Sequence, residues 1–288
     1  MKKKVKKSLK TNNIKTSKNP IFKKDLNGKI IFIRHGETDY NIDFAKKGAK
    51  IKYDINYLDG HLNLNGIKQA EKTAEIFKNI DVEAIYVSPL YRTLESASII
   101  FKNHPKKSEL QLIIHPLLTE VISSMNNFTD DIDLKKSIYN EKSEIKVDWS
   151  IFNEEFKTKE EQNFYYMNYV NLLSKTKYDN IKNNMYNSLK AGKMKESISE
   201  LGKIIRDLKM KRIESLEHLF NRTVKFKEYL KDKYKNSISN SNKKIIIISH
   251  SCFGQMFTSN ECYGKSNIKE YPKDCCDMSN CEAISVFI

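Results

Sequence analysis

The chain has 288 residues, 39% of them apolar and 30% charged, which suits one large domain or two small ones with a real core. Its longest apolar runs, Ile30–Ile33, Ile245–Ile248 and Ala283–Ile288 (broken by Ser285), have strand length, and none approaches the roughly 18 residues of a membrane helix. A transmembrane helix, a collagen, a coiled coil and a small disulfide scaffold are excluded. The formal charge of +15 would point to nucleic acid if it lay on a folded face, but residues 1–24 alone hold ten lysines and no acid. No specific nucleic-acid partner is expected.

Five cysteines, Cys252, Cys262, Cys275, Cys276 and Cys281, all lie near the C-terminus, and their odd number argues against a closed disulfide framework. Their spacing holds no CxxC pair, which argues against a zinc site. The N-terminus has charge without an apolar stretch and does not begin Met-Gly, so neither a secretory nor a myristoylation signal is read there. A cytoplasmic location with free thiols is the expectation.

In chain order, residues 1–27 form a Lys/Asn/Ser-rich tail expected to be disordered. Lys29–Arg34 reads as a buried strand, followed by a polar loop containing Gly48 and Gly60. Asn63 caps an expected helix to about residue 79, with Leu64, Ile67, Ala70, Ala74 and Phe77 on one face. Ala84–Ser88 is a second strand, ended by Pro89, and a helix with Arg92, Leu94, Ala97 and Ile100 follows. Leu110–His115 is a third strand. Residues 125–210 read as an inserted cap of helices and loops, with Trp149, Phe164, Tyr165, Tyr166 and Tyr169 as its core. Residues 199–232 give one or two amphipathic helices, with Leu201, Ile205 and Leu208, then Leu216, Leu219 and Phe220, inward. Lys244–Ser249 and Ala283–Ile288 are the last strands. The alternation predicts an α/β fold: residues 28–288 as a single three-layer domain, a mostly parallel central sheet with helices on both faces, plus the insertion.

In such sheets ligands bind beyond the carboxyl ends of the strands. There the chain places Arg34-His35-Gly36-Glu37-Thr38, Ser88-Pro89-Leu90-Tyr91-Arg92, Leu118-Thr119-Glu120 and Ser249-His250-Ser251. Two histidines, two arginines and a carboxylate suit a phosphoryl group. Guanidinium forks bind phosphate oxygens, a neutral imidazole accepts the phosphoryl group, and a protonated carboxyl gives a proton to the leaving oxygen. Only five of the 51 basic residues are arginine, and two of these stand at strand exits. Arg92 at a helix start faces the positive end of the dipole, which suggests a bound anion; an ion pair with Glu95 is the alternative.

These segments resemble the RHG-motif branch (branch 1) of the histidine phosphatase superfamily, the phosphoglycerate mutase-like proteins. Arg34-His35-Gly36-Glu37-Thr38 with Asn41 is similar to the opening RHG motif, Leu62–Ala70 to an LTxxGxxQA helix entry, and Tyr86–Ala97 to an SSPLxRAxxTA segment. Leu118-Thr119-Glu120, Glu214-Ser215 with Arg222, Ser249-His250 and Asn280-Cys281 follow in the family's order. The resemblance covers about residues 28–122 and 199–288. It implies a metal-independent phosphatase acting on phosphomonoesters without a cofactor. His35 is the implied nucleophile, Glu120 the acid and then the base, and Arg34, Arg92 and His250 the holders of the phosphoryl group. Asn41 and Thr38 lie along the implied phosphate pocket. Glu95, Glu37, Asp39 and Asp130 are alternative acids.

Ser251 stands where the family usually has glycine or aspartate, and Val121-Ile122-Ser123-Ser124 replaces a Gly/Trp-rich stretch. Two further readings stay open: a cofactor-dependent phosphoglycerate mutase, and a weakly active member serving as a binding module. The GWxD-like and ERHYG-like segments of the glycolytic mutases are not present, which favours the phosphatase. The implied partner is a small phosphorylated substrate, phosphoproteins included, and a homodimer is compatible with the fold.

Overall fold

A computed structural model describes residues 22–170, 173–207, 212–235, 242–260 and 268–288. Residues 1–21 of the expected tail, Leu208 and Cys262 lie outside the described residues. The strands are β1 (Phe22–Lys23), β2 (Ile30–Arg34), β3 (Val82–Val87), β4 (Gln111–Ile114), β5 (Lys146–Asp148), β6 (Lys244–Ser249) and β7 (Ala283–Val286). Helices α1 (Asp39–Lys47) and α2 (Leu64–Phe77) precede β3, and α3 (Tyr91–Phe101) connects β3 to β4. Helices α4 (Ile132–Lys142), α5 (Ser150–Glu155), α6 (Lys159–Asn163), α7 (Lys175–Lys190) and α8 (Met194–Asp207) follow, then α9 (Leu216–Tyr234) and α10 (Ser251–Phe257).

The sheet runs in the order β1-β7-β2-β6-β3-β4-β5. From β2 to β5 every pairing is parallel, while β7 pairs antiparallel with β2 and β1 with β7. Alternate residues of one strand face opposite sides. Ile31, Ile33, Ile85, Val87, Ile246 and Ile248 pack against Ala70 and Phe77 of α2 and Leu94 and Ala97 of α3. Ile30, Phe32, Tyr86, Ile245 and Ile247 pack against Phe226 and Leu230 of α9 and Phe253 and Phe257 of α10. Both faces are covered, so the central strands are apolar throughout instead of alternating.

Several expectations are corrected. Phe22–Lys23, placed in the tail by composition, extends the sheet edge. The loop after β2 contains α1, which composition hides because its face is polar; Thr38 and Asn41 start it with a reciprocal capping box. In α2 the buried stripe is Gly66, Ala70, Thr73 and Phe77, and Leu64 is 79% exposed. The glycine sets that rotation: a Cβ on Gly66 would come within 2.1 Å of the Glu37 carbonyl oxygen, so α2 packs its first turn on the segment after β2. Residues 125–210 are not helices and loops alone, since β5 joins the central sheet beside β4. Their aromatic residues Phe128, Trp149, Phe152, Tyr165 and Tyr166 belong to the same core as α2 and α3. Leu201, Leu216, Leu219 and Phe220 are buried as expected.

Candidate active site

Parallel register brings the strand exits level. Arg34 pairs with Ser249 and Val87 with Ile248, and His35 N–H donates to the Ser249 carbonyl at 3.0 Å. His35, Arg92, Glu120 and His250 are all buried. His35, Arg92 and Glu120 line a cavity of about 460 Å³ together with Arg34, Asn41 and Ser251.

His35 Nδ1 lies 2.6 Å from the Gly36 carbonyl oxygen, which only accepts, so Nδ1 carries the proton and Nε2 presents its lone pair. Arg92 Nε donates to that Nε2 at 3.3 Å. Burial first, then the Arg92 and Arg34 charges, hold the imidazole well below its ordinary range, hence neutral near pH 7. Gly36 permits a close approach, since a Cβ there would meet the Gly66 carbonyl oxygen at 2.7 Å. The Gly36 N–H is taken by Ser96 Oγ at 2.9 Å, and the Asn280 amide donates to the His35 carbonyl at 2.9 Å.

The Arg92 guanidinium does not pair with Glu95. It donates to the Asn126 carbonyl at 2.6 Å and to Asn127 Oδ1 at 3.1 Å, while Glu95 receives His61 Nδ1 and the Leu62 N–H. His250 stands behind His35, with ring centroids 5.2 Å apart, and its Nε2 meets Ser88 Oγ at 2.8 Å. Its Nδ1 is buried without a partner among the described residues, as is Arg34 Nε, whereas Arg34 Nη1 donates to the Met278 carbonyl at 2.6 Å. Burial, then the Arg92 charge, also lowers His250 well below its usual range.

Glu120 is the carboxylate in the cavity lining. Oε1 accepts the N–H groups of Val121 at 2.8 Å and Phe253 at 3.1 Å, and Oε2 that of Cys252 at 3.1 Å. Burial nevertheless raises its pKa above the ordinary glutamate value. Glu214 and Arg222 scaffold the loop that presents it. They form a buried two-point ion pair at 2.7 and 2.9 Å, Arg222 donates to the carbonyls of Leu117 and Thr119, and Glu214 accepts the Ile122 N–H. Of the alternative acids, Glu37 accepts the amides of Asn63 and Asn65, Asp130 accepts the Asp131 N–H, and none lines this cavity. Thr38 is wholly buried and bonded to Asn41 Oδ1 through both its N–H and its hydroxyl, so it faces the cap rather than the cavity. Asn41 reaches the cavity. Lys52 and Arg212 also line it, as do Asn126, Asn127 and Tyr271, which sequence reasoning did not single out. Arg212 carried a signal, being one of few arginines.

Residues 30–134 match the model of the histidine phosphatase superfamily (branch 1). A fructose-2,6-bisphosphatase TIGAR B of Danio rerio is 33% identical over 91 residues, 32% of this chain and 33% of that protein. A 2,3-bisphosphoglycerate-dependent phosphoglycerate mutase of Thermoplasma acidophilum is 39% identical over 70 residues, 24% of this chain and 32% of that protein. The match thus spans about a third of these relatives' length. Among solved structures, the ecdysone phosphate phosphatase from Bombix mori in complex with tungstate aligns over 88% of this chain and 86% of that one, at 13% identity and a TM-score of 0.47. The matched stretch, residues 30–134, carries the RHG segment, Arg92 and Glu120, and there the chain resembles the histidine phosphatase superfamily, branch 1.

Proposed function

We propose that the chain is a phosphatase that hydrolyses small phosphomonoesters through a phosphohistidine on His35. One observation carries the reading: a neutral His35 has Nδ1–H fixed on a carbonyl and Nε2 beside the Arg92 guanidinium at the head of the cavity. In the first step the Nε2 lone pair attacks phosphorus and the P–O ester bond breaks. The leaving oxygen takes the proton of Glu120, whose raised pKa keeps that proton available. In the second step Glu120, now a carboxylate, takes a proton from water, whose oxygen displaces His35 and releases phosphate. Arg34, Arg92 and His250 hold the phosphoryl oxygens, and the unpartnered Arg34 Nε and His250 Nδ1 are donor positions for them. Asn41 extends the phosphate pocket. The lining carries Arg34, Lys52, Arg92 and Arg212 against the single acid Glu120, which favours an anionic substrate. Phosphoryl transfer needs mainly positioning and charge neutralisation, and these side chains supply both.

The test is hydrolysis of p-nitrophenyl phosphate in EDTA from pH 5 to 8, wild type beside His35→Ala, with 3-phosphoglycerate mutase activity as a control. The expected outcome is turnover by wild type and none above background in the variant. Equal rates, or mutase turnover without net hydrolysis, contradict the reading.

A further inference from the structure

The inserted region buries one lysine beside the segments that line the site. Lys135 on α4 and Asp59, which precedes α2, form an ion pair with both side chains 0% exposed. All three ammonium protons are used: Lys135 Nζ donates to Asp59 Oδ2 at 2.5 Å, to the Pro89 carbonyl at 2.8 Å and to Thr129 Oγ1 at 2.9 Å. Asp59 Oδ2 also accepts the Thr129 hydroxyl at 3.1 Å and the Asp130 N–H at 3.0 Å, and Oδ1 accepts the Tyr91 N–H at 2.9 Å. The ammonium sits 4.3 Å from the centre of the Tyr91 ring. Asp59 holds this position in the left-handed region, at φ +45, where a side-chain-bearing residue is rare.

One pair therefore ties together the chain at 59, at 89–91 and at 129–135. Two of these stretches adjoin the cradle. Tyr91 precedes Arg92, and Thr129 follows Asn126 and Asn127, which hold the Arg92 guanidinium. Arg92 itself makes no bond to either member of the pair. Its direction is fixed at both ends by segments that the pair immobilises.

We infer that Lys135 and Asp59 are positioning residues that aim Arg92 at the phosphoryl group, and that residues 125–135 are a fixed wall of the site instead of a lid. The inference rests on the reading of the cavity as a phosphoryl site. A displacement of Arg92 by about 1 Å can cost up to about 100-fold in rate, because the reacting geometry is narrow. A purely structural ion pair would change stability and leave oxyanion binding in the folded enzyme unchanged.

The experiment compares wild type with Lys135→Met, and with the double variant Asp59→Asn/Lys135→Met. Each is checked for folding by circular dichroism and assayed well below its Tm. The readouts are kcat and KM for p-nitrophenyl phosphate and the Ki of orthovanadate. The double variant removes the unpaired buried carboxylate that the single one leaves, so its Tm recovers toward wild type. Both variants are expected to raise the vanadate Ki about tenfold, with a matching fall in kcat/KM. A folded variant whose Ki stays within about threefold of wild type overturns the inference, whatever its Tm. A wild type that neither turns over nor binds vanadate removes the phosphoryl reading and this inference with it, a result distinct from an active, vanadate-binding wild type with unaffected variants.

Discussion

Two neighbouring clusters of buried charge differ in how completely their polar atoms are partnered. At the Asp59–Lys135 pair every ammonium proton and both carboxylate oxygens have partners, and both side chains are sealed from solvent. At the strand exits Arg92, His35 and His250 are equally buried, yet Arg34 Nε and His250 Nδ1 find no partner among the described residues. A buried polar atom without a partner costs about 1–3 kcal/mol, which an oxyanion bound there would offset. The completed pair holds chain segments together. The incomplete set, of which Arg34 lines the cavity, is where the proposed phosphoryl oxygens would be received.

The comparison can be broken at several points. The largest effect is expected at Arg92. Arg92→Lys keeps the charge but loses the fork that spans Asn126, Asn127 and His35. Its kcat/KM for p-nitrophenyl phosphate should fall about 10²–10³-fold. A loss confined to thermal stability would show Arg92 to belong with the structural pair.

Glu214→Gln probes the opposite side, a satisfied ion pair below the Glu120 loop. Leaving Arg222 buried without its partner should cost about 3–5 kcal/mol in denaturant unfolding. Burial pushes the Glu214 carboxyl up, but Arg222 outweighs it and holds the group below its ordinary value. A carboxyl depressed in the folded state stabilises fully above its unfolded pKa, and that stability is lost as pH falls through the lower folded value. Wild type should therefore lose stability on acidification in that window, and Glu214→Gln should lose less of it.

A smaller effect, dependent on the leaving group, is expected from Glu120→Gln. With glycerol 2-phosphate, whose leaving alkoxide needs a proton, kcat/KM, which reports the transfer to His35, should fall about 10²-fold. With p-nitrophenyl phosphate, whose phenolate leaves unaided, the fall should be far less. Burial raises Glu120, so the proton is retained above the usual carboxylate range and lost as pH rises through the shifted value. Turnover of glycerol 2-phosphate by wild type should decline along that alkaline limb, and the limb should be missing in Glu120→Gln. Equal losses on both substrates would deny Glu120 the role of acid.

The same two regions differ in how much the sequence discloses. Two of the strand exits were readable because their chemical residues abut a continuous apolar run: IIFI before Arg34-His35, IIII before Ser249-His250. Parallel register then aligns them without any further information. The glycines of the motifs were readable too, and their reason is geometric, Gly36 and Gly66 meeting backbone to backbone. The inserted region hid its part. Lys135 is one lysine in a Lys-rich chain, and nothing local marks it as buried. Its partner Asp59 is 76 residues away, and the contact exists only once α4 has packed against the start of α3. Asn126 and Asn127 are likewise lost in an Asn-rich composition, although their carbonyl and amide oxygens hold the key arginine. Helix α1 was missed because its capping signal lay inside a stretch already read for chemistry: Thr38 and Asn41 serve the cap, and Asn41 alone also reaches the cavity.

The most direct test of the incomplete cradle is to trap what it is arranged to hold. Wild type would be quenched in alkali during turnover of p-nitrophenyl phosphate and its peptides mapped by mass spectrometry. The account predicts a phosphoryl adduct on His35 that survives alkali, is lost in acid and is missing from His35→Ala. Steady turnover with no adduct, or with an adduct on another residue, would contradict it.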